Sequence, residues 1–160
     1  MLYKKYQMYG DSIEIMVPSH LTLNNSFLQS HYNWMSNDRR VVVNVAKGGC
    51  NLDEESLLLR LDEYYRGFCK DVNDFECLAI KKRRINGRSY GEIRYSSEMT
   101  GYRFYNIFML GYFEGTEIVL TLQCMYADIK THERIFENIS DSIRILRKKK
   151  IETGEKEYDS

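Results

Sequence analysis

Apolar and polar positions alternate along most of this chain, and two stretches change to a helical period. Residues 12–17 alternate and then meet Pro18, which ends ladder pairing, so the pattern predicts a first strand there. Residues 19–30 show no period and read as irregular. Two strands follow over 31–36 and 39–46 around the turn-rich Ser36-Asn37-Asp38, and Val41-Val42-Val43 suits a pleated surface. Lys47-Gly48-Gly49-Cys50 then breaks the strand. Asn51 with Glu54 three residues later resembles a capping box, and Leu57, Leu58, Leu61, Tyr64, Tyr65 and Phe68 recur at helical spacing, which predicts a helix over 52–70.

Phe75 to Tyr126 reads as four strands joined by tight turns. Asn86-Gly87 suits the positive φ angles of a two-residue hairpin, Glu98-Met99-Thr100-Gly101 turns again, and Glu114-Gly115 makes a third turn. Asp128 is the expected N-cap of a second helix through about Ser142, with His132, Ile135, Phe136, Ile139 and Ile143 on one stripe.

Turn lengths set register. The Glu114-Gly115 turn pairs Met109 with Leu120, Ile107 with Leu122 and Tyr105 with Cys124, a face that should form the main core. The opposite face pairs Tyr112 with Glu117, Phe108 with Thr121, Asn106 with Gln123 and Phe104 with Met125. Across the preceding turn, Tyr95 is expected opposite Phe104 and Ile93 opposite Asn106. This second face mixes large aromatics with amides and a hydroxyl. Either a helix or the 19–30 segment covers it, with Asn106 and Gln123 bonded to each other, or it is partly open to a partner. Exposure of Phe104, Phe108 and Tyr112 decides between the two.

Length and composition narrow the class. The 160 residues suit one domain over 1–146, followed by a charged, flexible tail over 147–160. Such a domain buries roughly 70% of its unfolded surface and needs no disulfide or metal to fold. Basic and acidic residues number 23 each, so no overall charge draws the molecule to nucleic acid or membrane. No run approaches ~18 apolar residues and the N-terminus has no apolar core, so no membrane span is expected and the simplest compartment is the cytoplasm.

Candidate chemistry is sparse. Cys50, Cys69, Cys77 and Cys124 form no C-x-x-C pair and read as free thiols. His20, His31 and His132 fall in different elements without metal spacing. Lys47-Gly48-Gly49-Cys50 lacks the P-loop frame, and Asp53, Glu54 and Glu55 are explained by the dipole of the helix they begin. No catalytic residue, metal ligand or cofactor is assigned. Lys81-Lys82-Arg83-Arg84 reads as a charged strand end that discourages edge pairing, and Arg147-Lys148-Lys149-Lys150 follows the second helix. Nucleic-acid contact through these two runs is a minor alternative.

The order of elements resembles the Mog/PsbP/DcrB superfamily. The cues are Ile13-Glu14-Ile15-Met16-Val17-Pro18, the helix beginning at Asn51, Ile85-Asn86-Gly87-Arg88 before Tyr90-Gly91-Glu92, the hairpin Tyr102–Tyr126, and Phe136 to Ile145. They are pattern and turn cues that span residues 12 to 146. The resemblance implies an α+β fold, a single antiparallel sheet of about six to seven strands flanked by two main helices. It also implies a non-enzymatic, protein-binding role, since its members include a nuclear import factor, a photosystem II subunit and bacterial chaperones for toxin effectors. A bacterial, cytoplasmic member fits the composition best.

The expected function is an adaptor or chaperone-like domain that binds a protein segment. Tyr95, Phe104, Phe108, Tyr112 and Met125 are its apolar anchors, and Asn106, Thr121 and Gln123 its hydrogen-bonding groups. Association into a homodimer is left open. A small-molecule or hydrolytic site assembled in three dimensions is the alternative, favoured by a closed pocket holding His20 or His31 beside a carboxylate or thiol.

Overall fold

The computed structural model of the chain describes residues 1–24, 31–150 and 156–159, the stretches 147–150 and 156–159 as backbone. Part of the irregular segment, the side chains of the second basic run, and residues 151–155 and 160 of the tail lie outside the described residues. Strands Tyr3–Met8 (β1) and Ile13–Pro18 (β2) form a hairpin. Thr22–Asn24 (β3), His31–Met35 (β4) and Val42–Asn51 (β5) precede helix Leu57–Asp71 (α1). The meander comprises Glu76–Ile85 (β6), Arg88–Met99 (β7), Tyr102–Phe113 (β8) and Thr116–Met125 (β9). A short 3-10 turn leads into helix Ile129–Asp141 (α2), and Arg144–Ile145 (β10) returns to β2. In the tail, Arg147–Lys150 (β11) pairs antiparallel with Lys156–Asp159 (β12).

Seven strands form one antiparallel sheet in the order β3-β4-β5-β9-β8-β7-β6, and β1-β2-β10 make a second, three-stranded sheet. The expected single sheet is therefore corrected. The pattern at Tyr3–Met8 gave no strand, because β1 depends on pairing to β2. The connecting residues Tyr9, Gly10 and Asp11 all sit at positive φ (54, 66 and 64°), which folds β1 back along β2.

The three turns of the meander share one geometry. Asn86-Gly87, Thr100-Gly101 and Glu114-Gly115 each place both residues at positive φ, with φ of 48 and 80°, 50 and 84°, and 49 and 77°. That is the two-residue turn whose twist matches the flanking strands. The β8–β9 register follows as expected, with Ile107 opposite Leu122 and Phe108 opposite Thr121. The β7–β8 register does not. Glu98 and Met99 belong to the strand, so Met99 pairs with Tyr102, Tyr95 with Asn106 and Ile93 with Phe108.

The start of α1 is a second correction. Asn51 pairs with Thr116 as the last residue of β5, which runs through Gly48 and Gly49 with a register shift. Gly48 is needed there, because a Cβ would stand 2.4 Å from Cγ of Glu117. The helix is instead preceded by a local clasp, in which the Ser56 backbone N–H donates to the Asp53 carboxylate at 2.9 Å.

One face of the large sheet is finished completely. Trp34, Val43, Val45, Ile107, Met109, Leu120 and Leu122 lie beneath Ile13, Ile15 and Val17 of the small sheet and Phe136 and Ile139 of α2. The buried Glu92 ties this layer together at β7. Its carboxylate accepts from Arg83 Nη1 at 2.8 Å and Arg94 Nε at 3.0 Å, with Lys81 Nζ at 3.4 Å. Arg83 also reaches Ser140 and Asp141 of α2, and Arg94 reaches Glu137. A buried carboxylate is tolerated only when its charge and lone pairs are matched, as here.

Glu92→Ala removes the carboxylate that Arg83 and Arg94 share beneath α2 and should cost about 3 kcal/mol in urea unfolding, with Glu92→Gln intermediate. Acid should act on the same cluster through Glu137. Burial opposes its ionisation, but the Arg94 hydrogen bond and the charges of Arg94, Arg83 and Lys81 outweigh burial and hold its carboxyl below the ordinary range. Because the folded pKa is the lower one, this stabilisation is present above the ordinary glutamate range and is lost as pH falls through the folded value. Urea midpoints measured from neutral pH downward should fall less steeply for Glu137→Gln than for the wild type.

Candidate functional site

Among the described residues, the other face of the large sheet is covered over only part of its width. Helix α1 lies across β7 and β8, where Leu57 and Leu61 join Ile93, Phe108 and Leu110 in a second core. Tyr64 and Phe68 meet the Phe108 ring with centroids 4.7 and 5.1 Å away. Gly91 allows this approach, since a Cβ would stand 2.7 Å from a Leu61 methyl. The buried Glu117 fixes the helix laterally: Arg60 donates to it through Nε and Nη2 at 3.1 and 3.0 Å, and the Tyr64 hydroxyl donates at 3.0 Å. Burial and the negative charge of Glu117 raise the Tyr64 pKa, which keeps the hydroxyl a donor.

Beyond α1 the same face changes character. One cross-strand row reads Asn24, Asn33, Asn44, Thr121, then Phe108, Ile93 and Ile80. It is polar over β3, β4, β5 and β9 and apolar from β8 onward. The adjacent row reads Thr22, Met35, Val42, Gln123, Asn106 and Tyr95. Between β3 and β8 neither row holds an Asp, Glu, Lys or Arg, although 29% of the chain is charged. Depletion of charged residues is a feature that the cores of protein interfaces share.

The amides are already organised. Asn24 donates to Asn33 at 3.2 Å, Asn33 donates to Asn44, Gln123 donates to Asn106 at 2.8 Å, and Asn106 donates to Ser97 Oγ at 3.0 Å. These bonds fix the orientation of each amide. At one end of this half-face stand the half-buried Phe104 and Met125, with exposed Met99 and Tyr102 beyond them.

The expected binding residues therefore divide. Phe104, Asn106, Thr121, Gln123 and Met125 lie on the half that no described helix covers. Asn106 is only 7% exposed, but its row partner Gln123 is half-buried. Phe108 is 5% exposed and belongs to the core under α1. Tyr95 packs on Phe68 and Phe75 at 5.1 and 5.2 Å, and burial raises its pKa. Tyr112 is half-buried with the Arg88 guanidinium over its ring at 4.3 Å. Sequence reasoning missed Asn24, Asn33 and Asn44, since nothing local shows that β3, β4 and β5 join the meander through β9.

The β4–β5 turn stands at the margin of this half-face between two clefts. Its Asp38 carboxylate accepts from the Ser36 hydroxyl at 2.6 Å and the Arg40 N–H at 3.0 Å, and these bonds hold its pKa below the ordinary range. One cleft, of about 450 Å³, is lined by Thr22, Asn24, Met35, Ser36, Asn37 and Arg39. The other, of about 350 Å³, is lined by His20, Ser36, Asn37, Asp38, Arg40, Val41, Asp128 and His132. It brings two of the three histidines to one place, and His132 also stacks on Phe136 with centroids 6.0 Å apart. Among the described residues no three His, Cys, Asp or Glu side chains converge to hold a metal ion.

The basic run of β6 is committed to ion pairs. Lys81 and Arg83 meet Glu92, and Arg84 meets Glu54 at 3.6 Å, so among the described residues only Lys82 of the four lacks a carboxylate partner. No helix among the described residues is long and apolar enough to cross a membrane.

Solved structures share this architecture. CyanoP, the cyanobacterial PsbP of Synechocystis sp. PCC 6803, superposes with a TM-score of 0.69 at 14% identity, covering 89% of this chain and 92% of CyanoP. PA94 of Pseudomonas aeruginosa, a protein of unknown function, gives 0.59 at 11% identity over 89% of this chain and 96% of PA94. The immunity protein TplEi of the T6SS from P. aeruginosa, complexed with "L" peptide, gives 0.53 at 15% identity over 83% of this chain and 48% of TplEi. The fold is PsbP-like. No family model and no curated protein matches the chain.

The two halves of the polar row should respond differently to substitution. Thr121→Lys should change unfolding free energy by no more than about 0.5 kcal/mol, as expected at an accessible position. Phe108→Ala, one strand away in the same row, should cost about 3–5 kcal/mol. Urea unfolding of the two variants checks both.

Proposed function

We propose that the chain is a non-enzymatic protein-binding domain of adaptor or chaperone kind, which receives a segment of a protein partner on the uncovered half of its sheet. Phe104 and Met125 serve as apolar anchors, and Asn106, Thr121 and Gln123 as hydrogen-bonding groups. Tyr95, Phe108 and Tyr112 support the surface from beneath or beside α1. The observation that carries this reading is the charge-free, pre-bonded amide surface on β4, β5 and β9. An exposed face with no binding role has no need to exclude lysine and glutamate, the cheapest solubilising residues. The TplEi structure, which holds a peptide, lends the reading support from a protein that shares the fold over 48% of its length.

A second reading has one observation behind it, the cleft that gathers His20 and His132 with Asp128. A small polar molecule bound there would shift the amide resonances of Asp128 and His132 in a fragment screen. Fragments that shift only the open sheet discard that reading.

Random peptides displayed on phage and selected on the full chain test the main proposal. Enriched peptides should lose about tenfold or more in affinity, at least 1.4 kcal/mol, on Thr121→Lys or Phe104→Asp. They should bind Leu59→Lys, on the exposed side of α1, as they bind wild type. Failure to enrich any peptide, or binding indifferent to Thr121→Lys and Phe104→Asp, overturns the proposal.

A further inference from the structure

We infer that the cleft lined by Arg39 is a carboxylate-binding subsite at one end of the peptide surface, an inference that rests on the reading above. The lining of this 450 Å³ cleft contains one formal charge, the Arg39 guanidinium, and no Asp or Glu. Among the described residues Arg39 forms no ion pair. The neighbouring carboxylate is turned to other work: Asp38 accepts from the Ser36 hydroxyl and the Arg40 backbone N–H and lines the separate cleft on the histidine side. The one carboxylate of the turn is therefore taken up by the Ser36 hydroxyl and the Arg40 backbone N–H, and it does not pair with the Arg39 guanidinium.

The backbone at Arg39 adds an independent observation. Its φ is +62°, in the left-handed region where an arginine is uncommon. The other tight turns of the sheet end on a glycine, at 87, 101 and 115. A side chain kept in an unfavoured backbone state, and left without a partner inside the molecule, points to selection for what it presents outward. A guanidinium beside the amide of Asn37 and the hydroxyl of Thr22 offers paired N–H donors to a planar carboxylate.

The cleft also joins the docking surface. Thr22 and Met35 stand in the same cross-strand row as Val42, Gln123 and Asn106, so the guanidinium lies at the margin of the charge-free face. Three strand spacings separate β4 from β8, roughly 14 Å, which an extended chain crosses in about four residues. A segment whose carboxylate sits at Arg39 would place a side chain about four positions away over Phe104 and Met125. The occupant is thus an extended polypeptide with a carboxylate and, about four residues from it, a large apolar side chain.

Two random-peptide libraries test this on the full chain, one displayed with free C-termini and one with the C-terminus fused. A terminal carboxylate enriches peptides from the first library alone; an Asp or Glu at a fixed position in both identifies a side-chain carboxylate. Synthetic enriched peptides should bind Arg39→Gln and Arg39→Asn about tenfold or more weakly than wild type. The asparagine variant suits the left-handed backbone, so a loss shared by both is not a loss of the turn. Arg40→Gln should bind as wild type does. Peptides that lose affinity on Thr121→Lys but keep it on both Arg39 variants overturn the carboxylate subsite and leave the docking face standing. Peptides indifferent to all three substitutions, or no enrichment from either library, overturn both.

Discussion

A helix is about as wide as two strands, and the large sheet here has seven. That mismatch governs the molecule. Helix α1 finishes the face over β7 and β8 and cannot reach β4 or β5. Apart from Glu117, which holds it in place, the side chains it covers are aromatic or aliphatic, and beyond its reach the row turns to amides and hydroxyls within one strand spacing, between Phe108 and Thr121. The opposite face has no such boundary, because a second sheet and α2 together span its apolar rows.

Two buried glutamates decide where the helices lie. Glu117 on β9 holds Arg60 and Tyr64 of α1, and Glu92 on β7 holds the arginines that grip α2. Apolar packing alone would let a helix slide along a smooth sheet, since burial is non-directional. A buried carboxylate with named partners has one low-energy arrangement and penalises the others. The edge of the open half-face is therefore set by Glu117 as much as by the shape of α1.

Much of this architecture was legible in the sequence wherever a local rule determined it. Asn86-Gly87 and Glu114-Gly115 fixed hairpins and one full register, and the face with Ile107 and Leu122 was identifiable as core. Thr100-Gly101 was misread because Glu98 and Met99 are as polar and mixed as turn residues, and the two-residue shift moved Tyr95 from Phe104 to Asn106. Asn51 looked like a cap but is held by Thr116, a partner far along the chain. The extent of the open face was not legible at all. It depends on β5 pairing with β9, which brings Asn33 and Asn44 beside Thr121, and on how far α1 reaches. The left-handed Arg39 was equally hidden, since nothing in Asp38-Arg39-Arg40 marks which arginine carries the strain.

The short strand β10 has a consequence for the order of assembly. Arg144 and Ile145 pair with Glu14 and Ile13, and Ser142 accepts from the Met16 N–H at 2.9 Å, so the second strand is completed by almost the last described side chains. A ribosome delivers β1 and β2 early, and the other neighbour of β2, β10, only after the large sheet and α2. Until then Ile13, Ile15 and Val17 face a layer whose far half has not been made, and the entropy of closing so long a loop must be met by contacts that form late. The small sheet thus acts as a latch drawn shut by α2 and β10, and the described fold closes only after both have been made.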